Sequence, residues 1–141
     1  MDRNPILKIH KFVFLAEKAL DRRLQHDVGL SFSQCMILVH VAHHPQISQR
    51  HVAYERDITP AAVSRHIEAL VASGLISRFD REHNKREHVL EVTIHGRGVV
   101  KTAEEALEEE IELLMKQLSL DDVRRVDSVF DRLLSRLKDS L

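Results

Sequence analysis

The sequence predicts a mainly α-helical fold that carries one small β-hairpin. Three observations support this prediction: a helix with a marked beginning and end between Thr59 and Gly74, two strand-like segments at 75–80 and 88–93, and helical spacing of apolar residues near both ends of the chain. Together they predict long terminal helices on either side of a small mixed centre.

Length and composition predict one soluble domain that spans residues 1–141. Of the 141 residues, 43% are hydrophobic and 30% are charged, which is enough to build a core. No apolar run approaches the roughly 20 residues that cross a bilayer, and the first residues lack the layout of a signal peptide. We therefore expect a cytoplasmic protein without a membrane partner. The single cysteine, Cys35, agrees with a reducing compartment.

The first helix is predicted over residues 5–27. Its apolar residues form one stripe at positions 6, 9, 13, 16, 20 and 24 and a second set at 7, 14 and 15. Two stripes indicate two packing partners. Gly29 is expected to end the helix.

Two shorter helices follow. Ser33 is predicted to open a helix through Ala42 that is apolar nearly all round and therefore buried. Ser48 is predicted to cap a brief helix through Tyr54, and Asp57 is placed in a tight turn after it. With the helix that comes next, this arrangement is a helix-turn-helix.

The next helix has start and stop signals at its two ends and two different faces. Thr59 can accept a hydrogen bond from a first-turn amide, Pro60 fits the first helical position, and Gly74 ends the helix. Three residues spaced by four and three must face a core, namely Val63, Ile67 and Leu70. The other faces carry small or charged residues, namely Ala61, Ala62, Ser64, Arg65 and Glu68. A helix that begins with small residues and one arginine suits the major groove of DNA, where Arg can contact guanine or phosphate.

A two-stranded hairpin with a charged tip is predicted after Gly74. The strands are 75–80 and 88–93, and the polar segment between them contains Arg81, Lys85 and Arg86. A basic hairpin directly after such a helix is a wing, which can contact the DNA backbone or minor groove. Residues 31–95 are thus predicted to form a winged helix-turn-helix.

Two more helices are predicted beyond the hairpin. Thr93 can cap a helix over 96–118, and Ser119 with Asp122 forms an aspartate version of the capping box before the last helix. The last helix repeats apolar residues at Val123, Val126, Phe130, Leu133, Leu137 and Leu141. The terminal segments 5–27 and 96–141 carry more apolar surface than the centre can cover, so we expect them to build a homodimer.

The charges are distributed unevenly along the chain. The formal net charge is −1, residues 103–141 hold 11 acidic and 6 basic residues, and residues 46–98 hold 8 lysines and arginines with 7 acids. The centre is therefore only weakly basic. This balance leaves open an alternative in which the winged helix contacts another protein without binding DNA.

The ten histidines of the chain raise the alternative of a metal-responsive protein. His40, His43 and His44 lie at i, i+3 and i+4 of one predicted helix, a spacing that can chelate zinc. The favoured interpretation is surface and interface histidines, so no metal and no other cofactor is predicted. No catalytic motif is present, and the protein is not expected to be an enzyme.

The order and spacing of these motifs resemble the MarR family of winged-helix transcriptional regulators. The resemblance rests on the segments Leu30–Gln34, Ile47–Gln49, Ile58–Arg65, Gly74–Ile76 and Lys85–Arg86, followed by Val92-Thr93 and Gly96. It departs at Asn84, which stands where the family has a wing acid, at Asp57, which replaces the turn glycine of the helix-turn-helix, and at Arg56, which stands at a usually apolar position.

The resemblance implies a homodimeric regulator, most often a repressor, that binds pseudo-palindromic double-stranded DNA and responds to a small phenolic or anionic ligand. The DNA contacts that we expect come from the helix-turn-helix and the wing: Ser48, Gln49, Thr59, Pro60, Ala61, Ala62, Ser64, Arg65, Arg81, Lys85 and Arg86.

Overall fold

The computed structural model of the chain describes residues 4–56, 58–81 and 84–141, except for the side chains of residues 84–86. Within this part, helices and strands follow the order α1 (Pro5–Val28), α2 (Phe32–His43), β1 (Ile47–Ser48), α3 (Gln49–Glu55), α4 (Pro60–Ala72), β2 (Ile76–Arg81), β3 (Asn84–Val92), α5 (Ile94–Met115) and α6 (Leu120–Lys138). The mainly helical class with a small sheet is confirmed. Asp57, which the sequence placed in a turn, lies outside the described residues.

The chain divides into two compact units, Met1–Leu107 and Glu108–Leu141, with the boundary inside α5. The first unit holds a single apolar core to which every helix from α1 to α5 contributes. Its fully buried large side chains include Leu24, Ile37, Leu38, Ile67 and Leu90. None of the helices in the described ranges is long and apolar enough to cross a membrane.

The sheet has three antiparallel strands in the order β1-β3-β2. The predicted hairpin is confirmed, with Ile76 opposite Val92 and Arg78 opposite Leu90. The sequence did not predict β1, in which Ile47 pairs with Leu90. A strand of two residues is too short to show an alternating pattern, and its partner lies more than forty residues away.

The beginning of α2 differs from the prediction. The helix is capped by Ser31, whose hydroxyl accepts from the amide of Gln34 at 3.1 Å, while the Gln34 side chain accepts from the Ser31 amide at 3.0 Å. The assignment of Ser33 as the first capping residue is therefore wrong, and α2 begins at Phe32. Its expected burial is confirmed by Cys35, which is fully buried.

The junction between α4 and α5 is tightly packed around Gly96. A Cβ added at this position would lie 2.1 Å from the carbonyl oxygen of Leu75, so only glycine permits this approach. Thr93 caps α5 as predicted, because its hydroxyl accepts from the Gly96 amide at 3.0 Å. The helix begins at Ile94 and ends at Met115, two and three residues earlier than expected.

The second unit contains the end of α5 and all of α6. The capping box predicted for α6 is confirmed: Asp122 donates its amide to the Ser119 hydroxyl at 3.1 Å and accepts from the Ser119 amide at 3.1 Å. No residue of α6 is buried, although the helix has a strong apolar side. That side consists of Val126, Val129, Phe130, Leu133, Leu134 and Leu137, all exposed.

Candidate nucleic-acid interface

Helices α3 and α4 form the predicted helix-turn-helix, and each begins at the cap that the sequence indicated. Ser48 accepts from the His51 amide at 3.1 Å, and Thr59 accepts from the Ala62 amide at 3.2 Å, with Pro60 in the first position of α4. Gly74 follows α4 with φ at +72°, a left-handed conformation that glycine adopts without strain. The length and orientation of α4 are thus fixed by local chemistry at both ends.

The inner face of α4 is anchored in the core of the first unit. Val63, Ile67 and Leu70 are fully buried, as predicted. Burial of three such side chains stabilises the position of α4 by about 1.5–3 kcal/mol each. The outer face is accordingly held on a rigid support.

The outer face of α4 presents small side chains around one arginine. Pro60, Ala61 and Arg65 are exposed, while Ala62 and Ser64 are partly exposed. In the described part of the chain Arg65 forms no ion pair, and Glu55 on the preceding helix pairs with His40 and His51. The Arg65 guanidinium therefore keeps its hydrogen-bond donors for an external partner.

The two polar residues at the start of α3, Ser48 and Gln49, differ in how far their side chains are available to a ligand. The hydroxyl of Ser48 is used for capping, as described above, and a hydroxyl can still accept a second hydrogen bond. Oε1 of Gln49 is buried and has no hydrogen-bond partner among the described residues. This oxygen faces the protein, so any contact of Gln49 with a ligand would come from its other atoms.

Of the three basic wing residues predicted to contact DNA, the structure describes the side chain of Arg81. Arg81 is exposed and its Nη1 lies 3.4 Å from Oε2 of Glu87, a long and solvent-screened ion pair. The side chains of Lys85 and Arg86 lie outside the described residues. Asp80 pairs with His88 across the hairpin at 2.8 Å, which ties the two strands together.

Behind the helix-turn-helix, two of the three histidines considered as metal ligands converge on an acid. The possible ligand atoms of His40, His44 and Glu55 all lie within 4.8 Å of one another. His43 is not part of this group, because its Nε2 lies 2.6 Å from Oε1 of Glu104 on α5. The spacing of the histidines did not indicate Glu55 as a third ligand, because only the turn between α2 and α3 brings it next to the last turn of α2.

The environment of this cluster shifts two ionisation equilibria. Desolvation, with the nearby His44 as a second cause, lowers the pKa of His40. Desolvation acts against the ionised form of Glu55, but the hydrogen bond from His51 and the charges of His51, His40 and His44 outweigh it and lower the pKa of Glu55. Both shifts favour a neutral His40 and an ionised Glu55 near neutral pH.

An open groove of about 460 Å³ lies between α1, α2 and the segment that leads into α4. Its lining combines apolar and charged side chains: Phe14, Glu17, Lys18, Asp21, Phe32, Ser33, Met36, Arg56 and Ile58. Nε of Arg56 is buried without a hydrogen-bond partner in the described part of the chain. The arginine that departs from the apolar pattern thus leaves an unsatisfied donor beside this groove.

Cys35 lies in the core and is shielded from reaction. Burial, with a smaller effect of the Asp21 charge, raises the pKa of its thiol to about 12. The thiolate is the reactive form of cysteine, so this residue is chemically inert at neutral pH.

Residues 28–87 match the sequence model of the MarR family. A protein of Bacillus subtilis (strain 168), the uncharacterized HTH-type transcriptional regulator YdgJ, is 23% identical over 120 residues, which are 85% of this chain and 73% of that protein.

Several solved structures align with nearly the whole chain. MepR of S. aureus, solved as a DNA complex, matches with a TM-score of 0.87 at 19% identity over 94% of this chain and 98% of that one. A MarR protein of Peptoclostridium difficile gives 0.88 at 15% identity over 99% and 91%. BldR of Sulfolobus solfataricus gives 0.81 at 24% identity over 93% and 92%. At these identities the likeness establishes the fold.

Proposed function

We propose that this chain, in which residues 28–87 match the model of the MarR family, belongs to that family and regulates transcription as a homodimer that binds a pseudo-palindromic site in double-stranded DNA. The family consists of regulators and not of enzymes, which agrees with the lack of catalytic motifs in the sequence. The observation that carries the proposal is the outer face of α4, where small side chains surround an Arg65 without an ion pair in the described chain.

The chemistry of this face fits the major groove. Pro60 and Ala61 add little bulk at the end of the helix, which permits close approach to base edges. Arg65 follows one turn later, where a guanidinium can donate two hydrogen bonds to guanine or contact phosphate. The caps Ser48 and Thr59 place hydroxyls at the starts of α3 and α4, where helix N-termini favour phosphate oxygens. The wing would add the contacts of Arg81, Lys85 and Arg86.

The homodimer is supported by apolar surface that the single chain leaves exposed. In α1, six large apolar side chains are at least 45% exposed, namely Ile6, Leu7, Phe12, Val13, Phe14 and Leu15. The apolar side of α6 is uncovered as well. Exposed large apolar side chains in this number mark an interface, and a second copy of the chain supplies the symmetric partner that a palindromic site requires.

Selection from a random library of DNA duplexes tests the proposal. We expect enrichment of one sequence with two inverted half-sites whose centres lie about 10 base pairs apart, one for each copy of α4. Light scattering should give the mass of two chains at the concentrations used. Recovery of no preferred sequence, with dimers present, would favour the alternative of a winged-helix module that contacts protein.

We further propose that a small phenolic or anionic compound regulates DNA binding from the groove beside Arg56. Phe14, Phe32 and Met36 offer an apolar wall for a ring, and Arg56 and Lys18 offer positive charge for an anionic group, next to the acids Glu17 and Asp21. Such a ligand would release the DNA, so that the protein acts as a repressor in the cytoplasm.

A panel of hydroxybenzoates provides the test of ligand response. A compound that binds the folded protein raises its melting temperature, and Arg56→Met should abolish this rise for the carboxylates while it leaves the melting temperature without ligand within a few degrees. A matched substitution in the second unit, Arg124→Met, should leave the response intact. Equal responses of both variants would place the ligand elsewhere.

A further inference from the structure

The last turn of α2 and the end of α3 bring together three side chains that suit a metal ion. His40 and His44 lie one helical turn apart on α2, their rings are stacked with centroids 4.4 Å apart, and Glu55 reaches them from α3. Nε2 of His40 lies 2.7 Å from Oε2 of Glu55. Two imidazoles and a carboxylate in one place form a typical ligand set for zinc.

In the described structure Nε2 of His40 has one close polar neighbour, Oε2 of Glu55. Although it is close to Glu55, Nε2 is not aligned for a hydrogen bond and remains buried without a hydrogen-bond partner among the described residues. A buried polar atom without a partner is costly, and a bound cation would satisfy its lone pair.

Contacts with neighbouring groups already orient the side chains of His44 and Glu55. Nδ1 of His44 lies 2.9 Å from the carbonyl oxygen of His40, which fixes the proton on Nδ1 and leaves the lone pair on Nε2. Nε2 of His51 lies 2.8 Å from Oε1 of Glu55 and leaves Oε2 directed to His40. Partners of this kind orient the ligands in known metal sites.

We propose that His40, His44 and Glu55 bind a divalent transition metal ion of the zinc type, with water in the fourth position. Ligand atoms around a tetrahedral zinc ion lie about 2.1 Å from the metal and hence about 3.4 Å apart. The ligand atoms are separated by 2.7 Å at one pair and by no more than 4.8 Å at any, so small rotations of exposed side chains complete the geometry.

At this position a bound ion would connect two helices. An ion at this place links the end of α2 to the end of α3, the first helix of the helix-turn-helix. Arg56 follows Glu55 directly in the chain and lines the groove described above. Binding of the ion itself does not depend on DNA binding, so the site can be tested without any operator.

The experiment measures binding of Co²⁺ and Zn²⁺ to the full-length protein, freed of affinity tags and of metal. Titration with Co²⁺ should produce the intense visible absorption of a four-coordinate ion at one ion per chain, and Zn²⁺ should displace it. His44→Ala and Glu55→Gln should each weaken binding about tenfold or more, and His51→Ala should weaken it about tenfold through the orientation of Glu55. His44 and Glu55 are exposed, so these variants are expected to fold, and circular dichroism checks this.

His43→Ala is the matched control, because it removes a histidine of the same helix that pairs with Glu104 outside the cluster. It should bind Co²⁺ as the unchanged protein does. The proposal is overturned if His44→Ala and Glu55→Gln retain full affinity, or if His43→Ala loses as much as they do. Should one ligand variant fail to fold, the other decides the question.

Discussion

The hydroxyl of Thr93 donates a hydrogen bond of 2.6 Å to the carbonyl oxygen of Gly74. The hydroxyl oxygen of Thr93 also accepts from the amide of Gly96, so one side chain joins the end of α4 to the start of α5. The helix whose outer face is the candidate DNA contact is thereby fixed at its far end as well.

Replacement of this hydroxyl should lower stability. Thr93→Val keeps the shape but removes both hydrogen bonds, and we expect the free energy of unfolding to fall by about 1–2 kcal/mol in a urea titration. Thr102→Val provides the control, because the Thr102 hydroxyl donates only to the carbonyl of Gly98 on an exposed helix face. It should change stability by less than about 0.5 kcal/mol. Equal effects would show that the Thr93 bonds add nothing beyond a surface contact.

The two glycines of α5 should respond in opposite directions to alanine. Gly96→Ala places a Cβ against the Leu75 carbonyl and should destabilise the protein by about 2 kcal/mol or more, because the backbone must move. Gly98→Ala meets nothing within 4 Å and should stabilise the helix by roughly 0.5–1 kcal/mol. Thermal unfolding of the two variants shows which substitution lowers stability and which raises it. A tolerated Gly96→Ala would contradict the close packing of α5 against the Leu75 carbonyl.

Arg65→Ala should reduce affinity for the selected DNA site by about 1–3 kcal/mol, roughly a five- to 150-fold increase in Kd. The matched control Arg124→Ala removes the same charge from an exposed position of α6. Fluorescence anisotropy at several salt concentrations separates loss of a specific contact from general screening. If both variants weaken binding alike, the effect of Arg65 is one of net charge only.

The apolar side of α6 should be required for the dimer. Leu133→Glu introduces a charge into this side and should shift light scattering towards the mass of one chain. Ser128→Glu adds the same charge to the opposite, solvent-exposed side and should leave the dimer intact. A dimer that survives Leu133→Glu would assign the interface to another surface.

Cys35 should resist thiol reagents in the folded protein near pH 8, and it should react only on unfolding. Its pKa rises from 9.0 to about 12 on folding, so the folded state retains a proton that the unfolded state loses. The contribution of this group is therefore neutral below the unfolded pKa and destabilises the fold as the pH rises from about 9 towards 12. Rapid labelling of the native protein would contradict the burial.

The sequence predicted those features that local rules determine. The caps Thr59 and Ser119 and the stop at Gly74 depend on residues within one turn, and each is confirmed. The same rules give two choices at the start of α2. Ser31 and Ser33 are both capping residues, but Gln34 three positions after Ser31 completes a capping box, and this signal was present in the sequence.

Contacts between distant residues were not predictable in this way. Glu55 joins His40 across fifteen positions, and Ile47 pairs with Leu90, because the turn after α2 and the packing of α3 set these distances. The exposure of Arg65 followed from helical spacing, whereas its lack of an ion pair in the described chain depends on where folding places the acidic side chains.

The pairing of Ile47 with Leu90 limits how the hairpin can change in evolution. From Val89 to Leu90, β3 has a neighbour on both sides, whereas its earlier residues pair with β2 alone. A deletion of one residue just before Leu90 would put the half-buried Glu91 in its place and would disturb the pairing that positions Ser48 at the start of α3. An insertion before His88 would leave the pairing of Ile47 with Leu90, and with it the position of Ser48, unchanged.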